Sequence, residues 1–579
     1  LASVLLAFTS LQVASASPNC PVQGAEFPKV RNLAEQPTWK AAADALKATF
    51  DTVASAGQNY SFSVQVFSTN PGKPIVFETF HTAQLLPSNT TGVKKVDADT
   101  VYRLGSVTKI FTVLTFLSEV GDKYFNHPIT EFVPELAELA KRGDPNDHVR
   151  TVDWEDITIL SLMAQMSGLE RDQLVLGEII GPLDLEQAVN IGFPPLAEAD
   201  IPTCGNYPLF TAEFFEGLAK AYPAFAPWKT PAYSNIAYQI LAYALEQITG
   251  KPFKEVLEQN VLKPLGLDHT YYDEAPESVG IIPRDSGTGW RYYLGDENPS
   301  GNMFTSAGDL SRLGLAILNS TLLKPALTRR WLKPVSFSSD FVAAVGAPWG
   351  IRRIRPSEKH PHRTVTAFTK AGSVGDYSAF LSLLPDYNLG ITLMIAGNAP
   401  AGSIFGFADY VASTIIPAYD AASRESADAQ FGGTYTYRGP VASTNRTMNS
   451  TVQISTAPDV PGLGVGTWYS NSSDMIPVSL ALQSGLSTAP VPSVRLYYTG
   501  LETKLPNGRV RQAFKAVFEN IGGPDNPGKW YSTDCGVWID YTGVTYAGQP
   551  LDGFIFELEG STGEVKSVYN MALNITLDK

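Results

Sequence analysis

Residues 103–109 read Arg103-Leu104-Gly105-Ser106-Val107-Thr108-Lys109, and nowhere else in the 579 residues does a lysine follow a serine at the third position. The stretch opens an apolar helical pattern that runs on through Ile110, Val113, Leu114 and Leu117. Three residues on a helix make about one turn, so the Ser106 hydroxyl and the Lys109 amine share a face. A serine hydroxyl attacks poorly until a neighbour takes its proton, and a desolvated lysine is such a neighbour. The competing reading is a polar helix start, with serine as N-cap and lysine in solvent.

Two later motifs decide between these readings. Tyr233-Ser234-Asn235 precedes an amphipathic helix with Ala237, Ile240, Leu241, Ala244 and Ile248 on one side, stopped by Gly250 and Pro252. Lys370-Ala371-Gly372-Ser373 precedes a strand-like run, Tyr377 to Leu384. Tyr124-Phe125-Asn126 and Tyr469-Ser470-Asn471 also fit tyrosine-x-asparagine, but no amphipathic helix follows either. Serine-x-x-lysine, tyrosine-x-asparagine and lysine-x-glycine, in that order, resemble the serine β-lactamase and penicillin-binding-protein superfamily. The tyrosine is similar to that of class C β-lactamases, D-aminopeptidases and related esterases. Phe132-Val133-Pro134-Glu135-Leu136, Ser167-Gly168-Leu169 and Asn302 to Leu310 are similar to further family segments, and the resemblance covers roughly residues 40 to 415. Where relatives read histidine before the serine of the second segment, this chain has Ala164-Gln165-Met166.

The resemblance implies an α+β fold, an antiparallel sheet flanked by helices plus an all-helical lobe. It implies Ser106 as nucleophile, Lys109 and Tyr233 as the proton-handling pair, and Asn235, Lys370, Ala371, Gly372 and Ser373 as substrate-binding positions. The backbone N–H groups of Ser106 and Ser373 are expected to form an oxyanion hole, worth about 3 to 4 kcal/mol per donor. No cofactor is expected. Threonine or serine is usual at Ala371, where its hydroxyl helps hold a lactam carboxylate. Alanine therefore favours an esterase, amidase or acyl-transfer role over a true β-lactamase. A D-aminopeptidase-type peptidase and a catalytically inactive binding scaffold are the alternatives. No Gly-x-Ser-x-Gly elbow of an α/β-hydrolase occurs.

A net charge of −14 argues against nucleic acid or an anionic membrane surface as partner, leaving a small acyl substrate. Residues 1–16 read as a signal peptide ending Ala14-Ser15-Ala16, its apolar run of about 13 residues too short to span a bilayer. Sequons at Asn59, Asn89, Asn319, Asn445, Asn449, Asn471 and Asn574 fit a secreted glycoprotein without a membrane anchor. Cys20, Cys204 and Cys535 allow one disulfide and leave one thiol, with the pairing open. No cysteine or histidine cluster has the spacing of metal ligands.

Three domains of the gene product are expected: residues 1–16 as signal, 17–420 as the hydrolase and 421–579 as a β-rich unit. Tyr60 to Ser68 with Ile75 to Thr82, and Tyr377 to Leu384 with Ile391 to Ala396, read as hairpins. The proline-rich and aromatic stretch 170–230 is expected to wall the cleft and set substrate choice. Ala418 to Gln430, rich in alanine and serine, reads as a linker. Short alternating runs beyond it, among them Val494 to Tyr498 and Val510 to Phe518, predict a small barrel or sandwich. Secreted fungal members of the superfamily are similar in carrying such a domain.

Overall fold

The computed structural model describes residues 20–84, 91–172, 184–197, 211–284, 287–359, 362–440, 447–484, 491–521 and 535–579. The expected signal segment, Asn89, Asn445 and Cys204 lie outside them, as do parts of the stretch 170–230.

The chain begins with helix α1 (Pro37–Ser55) and a hairpin of β1 (Tyr60–Ser68) and β2 (Ile75–His81). An eight-stranded antiparallel sheet, ordered β2-β1-β10-β9-β8-β7-β6-β5, is completed by residues much later in the sequence. These are β5 (Ser336–Phe337), β6 (Ala343–Val345), β7 (Gly350–Ile354), β8 (Val365–Val374), β9 (Tyr377–Leu384) and β10 (Leu389–Gly397). Both predicted hairpins are present. The polar residues that alternate along β1 are not solvated, however. Phe62, Val64 and Val66 pack in one core, while Ser63 bonds Tyr102 and Gln65 bonds Glu78 and Ser311. Every residue of β1 is buried because helices cover both faces of the sheet.

One face carries α1 and a later long helix. The other carries the helical lobe between β2 and β5, whose centre is α2 (Thr108–Val120), with α3 (Ile236–Thr249) against it. Thr108 through Leu117 are all buried, so α2 is enclosed on every side and owes its helicity to packing rather than to its β-branched threonines and valines. The polar-start reading fails here: no side chain caps this helix, and Lys109 is fully buried. Gly250, left-handed at φ 68°, ends α3 as predicted.

Beyond the sheet the structure corrects the linker. Residues 418–430 belong to a continuous helix, α4 (Ser403–Phe431), which runs across the expected 420/421 boundary. Alanine and serine suit both states, but Ile415, Tyr419 and Ala422 form a buried stripe that decides for helix. Ile404 to Ala422 pack behind the sheet, and Ala427 and Phe431 pack inside the next unit.

That unit is a barrel rather than a sandwich. Strands Gly433–Pro440, Thr447–Ala457, Val460–Ser470, Pro492–Lys504, Val510–Asn520, Gly553–Leu558, Val565–Asn570 and Ile575–Asp578 pair antiparallel in chain order. The last returns to the first at Thr436–Asp578, closing an up-and-down barrel without an open edge. Phe431, Trp468, Phe514, Phe518, Phe554 and Phe556 fill its interior. A Cys20–Cys535 disulfide ties the N-terminal segment to it. At the junction with the sheet-bearing unit, the largely enclosed Arg363 guanidinium bonds Glu26 and, at 2.8 Å, Asp420, whose carboxylate also accepts from the Tyr387 hydroxyl.

Candidate active site

Ser106 sits in a single 3₁₀ turn, Gly105–Val107, that feeds directly into α2. The positive end of the helix dipole therefore lies at its hydroxyl. β8 passes across this turn. β7 stops opposite Thr369, so residues 370–373 have no neighbour strand on that side. The gap is filled by the nucleophile turn: a Cβ on Gly372 would lie 2.5 Å from the Ser106 backbone nitrogen, and one on Gly105 would lie 2.4 Å from that of Ser373. Glycine is required at both positions for the approach, and Gly105 also has φ 54°.

The third wall is the start of α3. Tyr233 donates its hydroxyl proton to Ser106 Oγ at 2.7 Å, and Lys109 Nζ reaches the same oxygen at 3.3 Å. Lys109 also donates to Asn235 Oδ1 at 2.6 Å and to the Ser300 carbonyl at 2.7 Å. The Lys370 ammonium lies 5.3 Å above the Tyr233 ring and donates to the Ala371 carbonyl at 2.7 Å. Thus Ser106, Lys109, Tyr233, Asn235 and Lys370, spread over 265 residues of chain, gather in one site where Tyr233 and Lys109 reach the Ser106 oxygen, whereas the Ser373 hydroxyl turns to Ser378 at 3.0 Å. Of the other tyrosine-x-asparagine matches, Tyr124 packs on His127 and Phe132, and Tyr469 lies on the barrel.

Burial dominates the electrostatics. It pushes Lys109 down from its ordinary 10.5 to about 7, against the pull of Glu297 and Asp172 and with help from Arg171. Lys370 falls to about 8, again mainly by burial, with Tyr233 opposing and Lys109 and Arg171 adding to the fall. A neutral amine has two N–H groups and one lone pair. Asn235 Oδ1 and the Ser300 carbonyl take the two N–H groups, which leaves the lone pair directed at Ser106 Oγ. The arrangement can strip a proton from a serine near neutral pH.

Several site residues carry no motif. Gln165, at φ 61°, binds the Ser234 backbone from both ends of its amide, in the segment where relatives have histidine nearby. Arg171, Asp172, Glu297 and Ser300 enter through tertiary placement; only the stretch 170–230, read as a cleft wall, pointed toward the first two. Among the described residues no group of histidine, cysteine or acidic side chains could hold a metal ion, and no helix is long and apolar enough to cross a membrane. Asn59, Asn319, Asn449, Asn471 and Asn574 are all exposed.

Comparison with known proteins adds the following. A family model described as "Beta-lactamase" matches residues 50–413, and one described as "Beta-lactamase-like-like, C-terminal domain" matches residues 423–579. The chain is 29% identical to a "Beta-lactamase-like protein" of Arthroderma benhamiae over 98% of its own length and 96% of the relative's. It is 27% identical to a "Probable hydrolase M10" of a Phoma species, over 92% and 87%. A solved class C β-lactamase from Rhodobacter sphaeroides superimposes with a TM-score of 0.46 at 16% identity, over 64% of this chain and 99% of that one.

Proposed function

The chain belongs to the β-lactamase family of hydrolases, and from that premise we propose that it is a secreted serine hydrolase acting through a Ser106 acyl-enzyme on an ester or amide. The observation that carries the reading is the meeting of the Tyr233 hydroxyl, at 2.7 Å, and the Lys109 amine, at 3.3 Å, on Ser106 Oγ.

In the first half-reaction neutral Lys109 takes the Ser106 proton while Oγ bonds to the acyl carbon. The carbonyl oxygen becomes an oxyanion held by the N–H groups of Ser106 and Ser373. As the bond to the leaving group breaks, Tyr233 gives that group its proton, and the resulting phenolate is balanced by the Lys109 ammonium 5.1 Å from the ring. Water then gives a proton to the phenolate and its oxygen to the acyl carbon. Ser106 departs with the proton from Lys109, and acid and free enzyme are regenerated. An acyl acceptor other than water would turn the same cycle into acyl transfer.

Two observations favour ester or amide over lactam. Ala371 has no hydroxyl for a lactam carboxylate, and the Ser373 hydroxyl is engaged with Ser378. The five exposed sequons and the Cys20–Cys535 disulfide support secretion and glycosylation. A fluorophosphonate probe tests the chemistry: the wild type is expected to be labelled and Ser106→Ala is not. An unlabelled wild type would favour the inactive scaffold. Turnover of p-nitrophenyl esters, D-amino-acid amides and nitrocefin, compared side by side, separates esterase, D-aminopeptidase and β-lactamase.

A further inference from the structure

The loop after helix Ile159–Met163 brings two side chains to the site that the cycle above does not use, Arg171 and Asp172. The Asn235 backbone N–H donates to the Arg171 carbonyl at 2.7 Å, and Asn235 Nδ2 donates to Asp172 Oδ1 at 2.5 Å. The other Asp172 oxygen receives Arg171 Nε at 3.1 Å, and the Arg171 guanidinium lies 4.9 Å from the centre of the Tyr233 ring. The Asp172 side chain is 8% exposed, so water does not do this work in its place.

We propose that Arg171 and Asp172 are a positioning pair for the tyrosine-x-asparagine motif, with Asp172 setting which end of the Asn235 amide faces Lys109. The proposal rests on the acyl-enzyme reading, because the lysine it serves is the base of that reading. An ionised carboxylate only accepts hydrogen bonds, so it selects the NH₂ end of the amide and turns Oδ1 to the lysine. With the amide reversed, NH₂ would face the Lys109 amine, donor against donor, and the amine would lose the contact that aims its lone pair at Ser106. The neutral amide of Asp172→Asn accepts either orientation, so this selection is lost.

Asp172 also acts on Lys109 through charge. The groups that face this amine are Tyr233 and Tyr238 from the start of α3, Glu297 and the Ser300 carbonyl from the segment before β4 (Phe304–Ser306), Lys370 from β8, and the Arg171–Asp172 pair. Removing the Asp172 charge withdraws one of the two carboxylates that favour the ammonium, so the amine becomes neutral at lower pH.

The test is the rate of fluorophosphonate labelling against pH for the wild type, Ser106→Ala, Asp172→Asn and Asp172→Glu, each first checked for an unchanged melting curve. Asp172→Asn is expected to label about 10- to 100-fold more slowly, as for a misplaced catalytic group, with its inflection moved to lower pH. Asp172→Glu is expected to recover most of the rate and the original inflection. Asp172→Asn matching the wild type overturns the proposal while leaving the acyl-enzyme intact. A slower rate with an unmoved inflection marks a merely structural role and overturns it as well. A wild type that takes no label brings down the acyl-enzyme reading and the proposal together. Should Asp172→Asn not fold, Asp172→Ser, whose hydroxyl also tolerates either end of the amide, carries the same comparison.

Discussion

Lys109 in the cleft and Arg363 at the junction with the barrel are both buried cations, and the chain surrounds them in opposite ways. The hydrogen bonds of Lys109 go to neutral oxygens, those of Ser106, Asn235 and Ser300, while Glu297 and Asp172 act on it through the field. Burial then prevails, and the amine sits near the pH at which it gives up its proton. Arg363 is largely enclosed, and burial alone would push it down. Direct contact with the Glu26 and Asp420 carboxylates, and the nearby Tyr387, holds it above its ordinary value instead. The same cost of desolvation is left standing in one place and offset in the other. A buried charge that must move is solvated by dipoles, and one that must stay is met by countercharge.

Removing each cation should therefore separate chemistry from stability. Lys109→Ala is expected to lower the rate of Ser106 labelling by about a thousandfold or more, given the usual worth of a positioned base, without lowering the melting temperature at pH 7. The sign follows from linkage. The folded-state amine titrates below the unfolded one, so the unfolded chain binds more protons between about 7 and the ordinary 10.5. Wild-type stability gains from this group as pH rises through that window, and the variant loses the gain. Melting curves across pH 6 to 11 would test this.

Arg363→Met should do the reverse. It leaves the partly buried Glu26 and Asp420 carboxylates without their shared countercharge and is expected to cost about 3 kcal/mol in denaturant unfolding. Labelling of the folded fraction should keep its wild-type rate. A variant as stable as the wild type would mean that the junction network is decoration.

The smallest effect is expected at Arg171. Labelling of the wild type should rise with pH through about 7 as Lys109 loses its proton. Arg171→Met removes a cation that depresses this amine, so the inflection should move up, and only slightly for so exposed a charge. It should move opposite to Asp172→Asn, which makes the two profiles a matched pair.

What could be read from the sequence follows how locally each feature is encoded. Ser106 with Lys109, Tyr233 with Asn235, and Lys370 with Gly372 are close neighbours at the ends of regular elements, so their spacing is visible before folding. Asp172 and Glu297 carry no such mark, because each reaches Lys109 only once distant segments pack. The Ser300 contribution is a backbone carbonyl, which no residue type announces. Along β1 the alternation gave the strand and its hairpin, but a pattern of serine and glutamine does not reveal the helices that cover both its faces. Closure of the barrel depends on the Thr436–Asp578 pairing, a contact across the whole length of the unit. The stretch 418–430 misled because a helix made of small residues has the composition of a tether, and apart from Tyr419 the residues it buries there are alanine and serine.

That helix has a further consequence. One end of α4 is gripped by the apolar layer behind the catalytic sheet, and the other is plugged into the barrel by Phe431. Pulling either half open strips a shared rod of its cover and exposes a neighbour's oily surface to water. The two halves are thereby yoked into one melting event, so a substitution deep in the barrel can be felt as lost turnover at Ser106 without touching the cleft.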